Sequence, residues 1–344
     1  MKHRRKWIRG IAAACAMLVM ILDTRTAVIS ARDGVLLCLN TVIPSLFPFF
    51  VLSGVVSSCL LGQNFLFLQP LGRLCKIPKG AESLLLLGFL AGYPVGAQMI
   101  TQTYLDGRLS SRAARRMLGF CSNAGPAFIF GMLSPLFANK KIVWVLWAIH
   151  ILSAVITGFV LATEEATSVQ ISPGTGINFP EALQKALKAT AGVCGWVILF
   201  RVVIGFCNRW FFWLIPAIIQ VLLSGLLELA NGCVLLQNLS GEGTRFLLAG
   251  AMLSFGGLCV GMQTISVTEG LGTGWYFPGK VLQTCLTVLF SLLLQPLLFT
   301  KSEMVALTPT ALICLTVLLF VLIFALRRKK VVAFSGRLLY NTGS

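Results

Sequence analysis

The sequence predicts an all-α polytopic membrane protein of about eight transmembrane helices plus two re-entrant helical hairpins, built as two inverted repeats with broken helices. Three observations predict it. The 344 residues are 57% hydrophobic and 11% charged, with mean hydropathy +0.87, too apolar for a soluble domain of this length. Apolar runs of membrane-crossing length recur along the chain. Glycine, proline and polar residues interrupt several of those runs at comparable places in its two halves. The formal net charge of +17 would suggest nucleic acid on a soluble face, but here the basic residues punctuate apolar runs. They are read as topology, and no nucleic-acid partner is expected.

Taken in order, the chain opens with MKHRRKWIR and then IAAACAMLVMIL, the charged and apolar regions of a signal peptide. No small-residue cleavage site follows at Asp23, so residues 8–22 are expected to remain as a first helix. The three alanines before Cys15 make a poor lipoprotein signal. Further spans are expected at 42–61, 117–138, 142–163, 191–207, 246–268, 277–298 and 310–327. Residues 83–104 and 211–236 are broken near their middles and are read as hairpins. A full span at 83–104 would place Arg108, Arg112, Arg115 and Arg116 opposite the basic N-terminus. With hairpins, twenty Lys and Arg residues gather on the cytoplasmic face, Lys185, Lys188 and Lys280 among them, against seven outside. Both termini are then cytoplasmic.

The polar stretch ATEEATSVQISPGTGINFPEA divides the chain. The expected organisation is an N-terminal membrane helix (1–30), a first repeat (31–163), a polar linker (164–182), a second repeat (183–298) and a C-terminal membrane helix with a basic cytoplasmic tail (299–344). The first hairpin enters from the cytoplasm and the second from outside, which makes the repeats inverted. Eleven cysteines without a CxxC pair are read as packing residues, and two histidines cannot build a metal site. His150, inside an apolar run, is expected to be a satisfied interhelical polar group. No cofactor or metal is expected.

In hydrocarbon every peptide group must be satisfied, so non-helical backbone at membrane depth belongs in protein or beside a wet cavity. The interruptions GFLAGYPVGA, CSNAGPAF, GLLELANGC and LSFGGLCVG therefore predict one enclosed polar site. Half-helix ends there can meet an anion with N–H groups, and freed carbonyls can hold a cation. The candidate substrate-binding residues are Tyr93, Pro94, Gly96, Ser122, Asn123, Gly125, Arg201, Glu228, Asn231, Gly232, Ser254, Gly256 and Gly257. The competing reading is that the glycines only permit close helix packing.

Glu228 is the one acid deep in an apolar stretch, and Arg201, in WVILFRVVIGF, is the base expected in the interior. The two can form a structural ion pair. Alternatively Arg201 is the substrate's counter-ion, with Glu228 bonding hairpin-tip N–H groups or carrying a proton, or Arg201 snorkels. An ionised Glu228 beside an anion would repel it, so a paired or protonated Glu228 is expected.

At GYPVGA, CSNAGPAFIFG, ELANG and SFGGLCV, in this order and spacing, the chain resembles the YlbJ-like sporulation integral membrane proteins, also called the stage V sporulation protein V family, which carries a nucleoside-recognition (Gate) domain. The resemblance covers residues 1 to about 330, and its hairpin-and-broken-helix plan is similar to that of concentrative nucleoside transporters. It implies a transporter in the outer forespore membrane that moves dipicolinic acid from the mother-cell cytoplasm toward the forespore. By residue, it implies hairpin tips at Gly92–Gly96 and Glu228–Gly232, and breaks at Ser122–Pro126 and Ser254–Gly257. Ala230 stands where a hydroxyl residue often precedes the Asn-Gly, and the first tip lacks the acidic and amide side chains of nucleoside transporters. A rigid aromatic dicarboxylate suits a bidentate guanidinium, half-helix N-termini and amides.

The expected partners are thus a small anionic substrate and membrane lipids, with homo-oligomerisation left open. A nucleoside or lipid-phosphate transporter and a non-transporting sporulation scaffold remain as alternatives. An enzyme is not expected, because the sequence has no HExxH, no GxSxG and no second buried acid near Glu228.

Overall fold

The computed structural model of the chain describes residues 2–60, 63, 65–162, 177–305, 316, 319, 320, 323 and 324. Every regular element among them is helical. Among the described residues, five segments are long and apolar enough to cross a membrane: Thr24–Leu60, Lys141–Val160, Phe179–Trp210, Glu242–Val267 and Tyr276–Leu298. Lys141–Val160, with 20 residues, is the shortest; at about 1.5 Å per residue it matches a hydrocarbon core of about 30 Å. Large apolar side chains such as Trp144, Leu199 and Trp213 lie on the outside, where lipid tails replace water. The chain is an integral membrane protein.

Helix α1 (Lys2–Leu22) is followed by α2 (Thr24–Leu37), which Asp23 caps by accepting the Thr26 N–H. One π-helical turn, Cys38–Val42, carries α2 into α3 (Ile43–Leu60). The span expected at 42–61 is therefore the end of a 37-residue segment. A short α4 (Gln69–Leu74) precedes α5 (Glu82–Leu90) and α6 (Val95–Leu105). Helix α7 (Ser111–Met117), capped by Ser110, leads through an unwound stretch to α8 (Pro126–Leu133). Then come α9 (Lys141–Val160) and α10 (Phe179–Trp210), the latter started by an Asn178 cap with proline in its first turn. The rest comprises α11 (Ala217–Leu227), α12 (Leu229–Leu235), α13 (Glu242–Phe255), α14 (Gly257–Val267) and α15 (Tyr276–Leu298).

Helix α10 packs along α2 and α3, while α15 packs along α9 and α13. The short broken helices lie between these long ones: α14 touches α10, α11 and α6, and α12 touches α8. One expected span differs in the structure. Residues 117–138 do not form one rod, because the chain leaves the helix from Leu118 to Gly125 and resumes at Pro126 for the eight residues of α8. Most of the span at 310–327 and most of the linker at 164–182 lie outside the described residues. Arg116, counted above as a cytoplasmic charge, is 2% exposed and donates to the carbonyls of Cys75 and Lys76. It ties α7 to the end of α4.

Candidate functional site

Both interrupted stretches fold back as helical hairpins. In the first, α5 turns into α6 through Ala91–Pro94, with a cis Tyr93–Pro94 peptide. Their contact is glycine on glycine: a Cβ on Gly96 would lie 3.2 Å from the Gly88 Cα and 2.7 Å from the Cys121 carbonyl oxygen. The unwound chain after α7 thus lies against this hairpin, and Gly92 at the tip abuts Gly125. In the second, α11 turns into α12 at Glu228, and a Cβ on Gly232 would fall 2.2 Å from the Gly225 Cα. The carbonyl of Gly225 in turn backs onto Gly257, where α13 gives way to α14. Gly256 and Gly257 take φ of +82° and +79°, a region that L side chains rarely adopt, so the rod breaks there. One relation therefore occurs twice: a glycine-packed hairpin against a chain break.

Tyr93 joins the two assemblies. Its ring lies against Gly256, and its hydroxyl donates to the Leu253 carbonyl at 3.3 Å. Around it the two tips and the first break enclose a cavity of about 50 Å³ whose polar wall is Gly92, Tyr93, Gly125, Glu228, Ala230 and Gln263. Val42, Leu46, Phe50, Val193, Val197 and Val260 form the apolar wall. A wider cleft of about 260 Å³ adjoins it, shares Val193 and Gln263, and carries Pro94, Gln98, Lys185, Lys188 and Ser266.

Why a carboxylate sits at 228 is answered locally. Glu228 is extended, with φ −144° and ψ 120°, and its side chain folds back on the start of α12. One oxygen accepts the Ala230 N–H at 3.0 Å; the other accepts the Asn231 N–H and its Nδ2, both at 2.7 Å. These donors begin a helix buried in protein, where unpaired N–H groups are costly. Among the alternatives for Glu228, the hydrogen bonds to the hairpin tip are the ones formed. Arg201 pairs instead with Asp33 of α2 at 2.9 Å, which corrects its ion pair with Glu228, and it is not among the residues of the cavity wall. Asp33 escaped notice because TAVISARDGVLL reads as interfacial rather than deep.

Behind Tyr93 lies a polar network that the sequence did not announce. Lys280 Nζ donates to Asn123 Oδ1 at 3.1 Å and to Gln283 Oε1 at 2.8 Å, and lies 5.1 Å from the centroid of the Tyr93 ring. Gln283 Nε2 donates to Asn123 Oδ1 and to the His150 carbonyl. His150 Nδ1 meets Ser254 Oγ at 3.2 Å, and Ser254 meets Thr287 Oγ1 at 2.7 Å. His150 is bonded on one side only, since its Nε2 is buried without a hydrogen-bond partner, as is Ser122 Oγ. Lys280 had been placed at the cytoplasmic boundary; it is fully buried. The available signal was KVLQT, a lysine and an amide one helical turn apart at the head of an apolar run.

Of the candidate residues, Tyr93, Gly125 and Glu228 line the cavity, Pro94 lines the adjoining cleft, and Asn123 and Ser254 belong to the network behind Tyr93. Asn231 braces Glu228, and Gly256 and Gly257 make the break. Gly96 and Gly232 are packing glycines inside helices rather than tip residues, because their side-chain positions are filled by backbone. The described cysteines form no disulfide, and no group of three or more potential metal ligands occurs among the described residues.

Comparison with known proteins adds one relative. The chain is similar to the sporulation integral membrane protein YlbJ of Bacillus subtilis (strain 168), with 27% identity over 139 residues, 38% of this chain. The matched stretch spans 33% of the length of YlbJ. No protein-family model and no solved structure matches.

Proposed function

We propose that this protein is a membrane transporter of a small organic anion, and that its cargo during sporulation is dipicolinic acid, moved from the mother-cell cytoplasm toward the forespore. The observation that carries the reading is the convergence of both hairpin tips and the unwound chain at Ala124–Gly125 on one cavity, with Val260 and Gln263 of α14 completing its wall. Irregular backbone at membrane depth is how transporters place binding groups at the midplane. The cavity of about 50 Å³ has room for only a few waters, at about 10–15 Å³ each, so it corresponds to a closed state that must widen to take an aromatic dicarboxylate. The neighbouring cleft, with Lys185 and Lys188 on its wall, offers a basic approach for an anion. The likeness to YlbJ supplies the sporulation setting. The two hairpin modules act as inverted repeats that rock about the cavity. Expelling a dianion from a negative interior would release about 4–5 kcal/mol per 100 mV, at about 2.3 per charge, so no coupling ion is required. The test is saturable efflux of radiolabelled dipicolinate from proteoliposomes holding the purified protein. Flux equal to that of protein-free liposomes, for dipicolinate and for nucleosides and phosphates alike, would reject transport and favour a scaffold.

A further inference from the structure

Lys280 poses a problem that the fold alone does not solve. Its amino group is fully buried on α15, and the ion pairs among the described residues do not include it. Two neutral amide oxygens and the face of Tyr93 are what surround it. Held there as a cation without a counter-charge, it costs several kcal/mol, which two neutral acceptors offset only in part. The missing negative charge points to a ligand.

Resting on the transport reading above, we infer that Lys280 is the group that recognises the cargo anion, binding its carboxylate after the Tyr93 side chain swings away from between Lys280 and the cavity. Three observations place these parts. Tyr93 belongs both to the cavity wall and to the surroundings of Lys280 Nζ. Ala124 and Gly125 line the cavity immediately beside Asn123, whose side chain holds the lysine. Ser122 Oγ, one residue further back, is buried with its hydrogen-bonding capacity unused.

Tyr93 is lightly latched. Its hydroxyl bond to the Leu253 carbonyl, at 3.3 Å, is longer than the usual 2.5–3.0 Å for an O–H donor, and its ring rests on Gly256, which has no side chain to obstruct it. The residue before it, Gly92, sits at φ +75° in the hairpin tip, a conformation glycine takes without strain. Displacing the ring joins its volume to a cavity otherwise too small for the cargo. The anion then exchanges a cation–π contact for a charge-assisted hydrogen bond on the same nitrogen. Asn123 and Gln283 hold the lysine in place throughout, so they are positioning residues.

The test uses the full-length protein in lipid nanodiscs, with equilibrium binding of dipicolinate as the readout. The proposal expects Lys280→Met to weaken binding by about 100-fold and Lys280→Arg to retain most of it. The neutral analogue pyridine-2,6-dicarboxamide should bind wild type about 100-fold more weakly than dipicolinate, and Lys280→Met should erase that preference. A merely structural lysine would not change the preference. Acetylation of Lys280, followed by mass spectrometry, should be slow in wild type, faster in Tyr93→Ala, and suppressed by dipicolinate in both.

Dipicolinate binding within about threefold of wild type in a folded Lys280→Met would overturn this assignment while leaving transport standing. Wild type that binds and moves no anion would overturn both. Should Lys280→Met fail to fold, the labelling decides: acetylation unaffected by dipicolinate defeats the assignment. Protection by inorganic phosphate but not by dipicolinate defeats the carboxylate as ligand.

Discussion

Removing the Glu228 carboxylate tests whether that group is a cap or a transported charge's partner. Glu228→Ala leaves the backbone N–H groups of Ala230 and Asn231 without acceptors, in residues that are 2% and 7% exposed. At about 1–3 kcal/mol per buried unsatisfied donor, the loss is about 2–6 kcal/mol, before the gain from no longer burying a carboxylate. Glu228→Gln can set its one carbonyl oxygen where a carboxylate oxygen now receives both Asn231 donors at 2.7 Å. Its NH₂ then faces the Ala230 N–H, so one donor is lost, at about 1–3 kcal/mol. The assay is thermal unfolding in lipid nanodiscs, where the order should be wild type, then Gln, then Ala. The Gln variant, with its hairpin tip closed, should still transport. A Glu228→Ala protein that unfolds at the wild-type temperature, or a fully stable Glu228→Gln protein with no flux, would refute the cap.

Other outcomes follow from the same geometry. Gly232→Ala forces a Cβ to 2.2 Å from the Gly225 backbone, so it should destabilise by at least about 1–3 kcal/mol and impair transport, read as a lower unfolding temperature and reduced dipicolinate flux. Gly192→Ala, also helical but with nothing within 4 Å, should be neutral or stabilising by up to about 1 kcal/mol in the same melt. Arg201→Ala removes a half-exposed pair with Asp33, so it should cost about 0–1 kcal/mol and leave flux near wild type, as efflux rates will report. Ser254→Ala strips His150 Nδ1 and Thr287 of a shared partner and should lower stability by about 1–3 kcal/mol, with retained flux separating a structural network from a cargo contact.

What the sequence disclosed follows from what hydrocarbon forbids. Breaks at GYPVGA, CSNAGPAF, LELANG and FGGL were legible because glycine, proline and amide side chains have few other uses inside an apolar run, and all four occur. The cap role of Glu228 was visible as an alternative, since an acid three residues before Asn-Gly can reach the N–H groups following it. The partner of Arg201 was not visible: Asp33 lies 168 positions away, and only the packing of α10 on α2 brings them together. Lys280 was misplaced for a different reason. The positive-inside rule treats every lysine near the end of an apolar run as interfacial, whereas the hairpin of α5 and α6 carries Tyr93 over it and seals it from water. Glycine roles divide likewise: Gly96 and Gly232 carry the same local signal as the tip residues, and only the partner helix reveals them as packing positions.

The central claim is that unwound backbone from both hairpin assemblies borders one wet, ligand-accepting cavity inside the membrane. Hydrogen–deuterium exchange of the protein in lipid nanodiscs, read by mass spectrometry with and without dipicolinate, tests it most directly. Peptides covering 91–94, 121–125 and 228–231 are expected to take up deuterium while the interior of α9 stays protected, and dipicolinate is expected to slow all three together. Breaks as protected as α9, or slowed at only one of the three by the ligand, would contradict it.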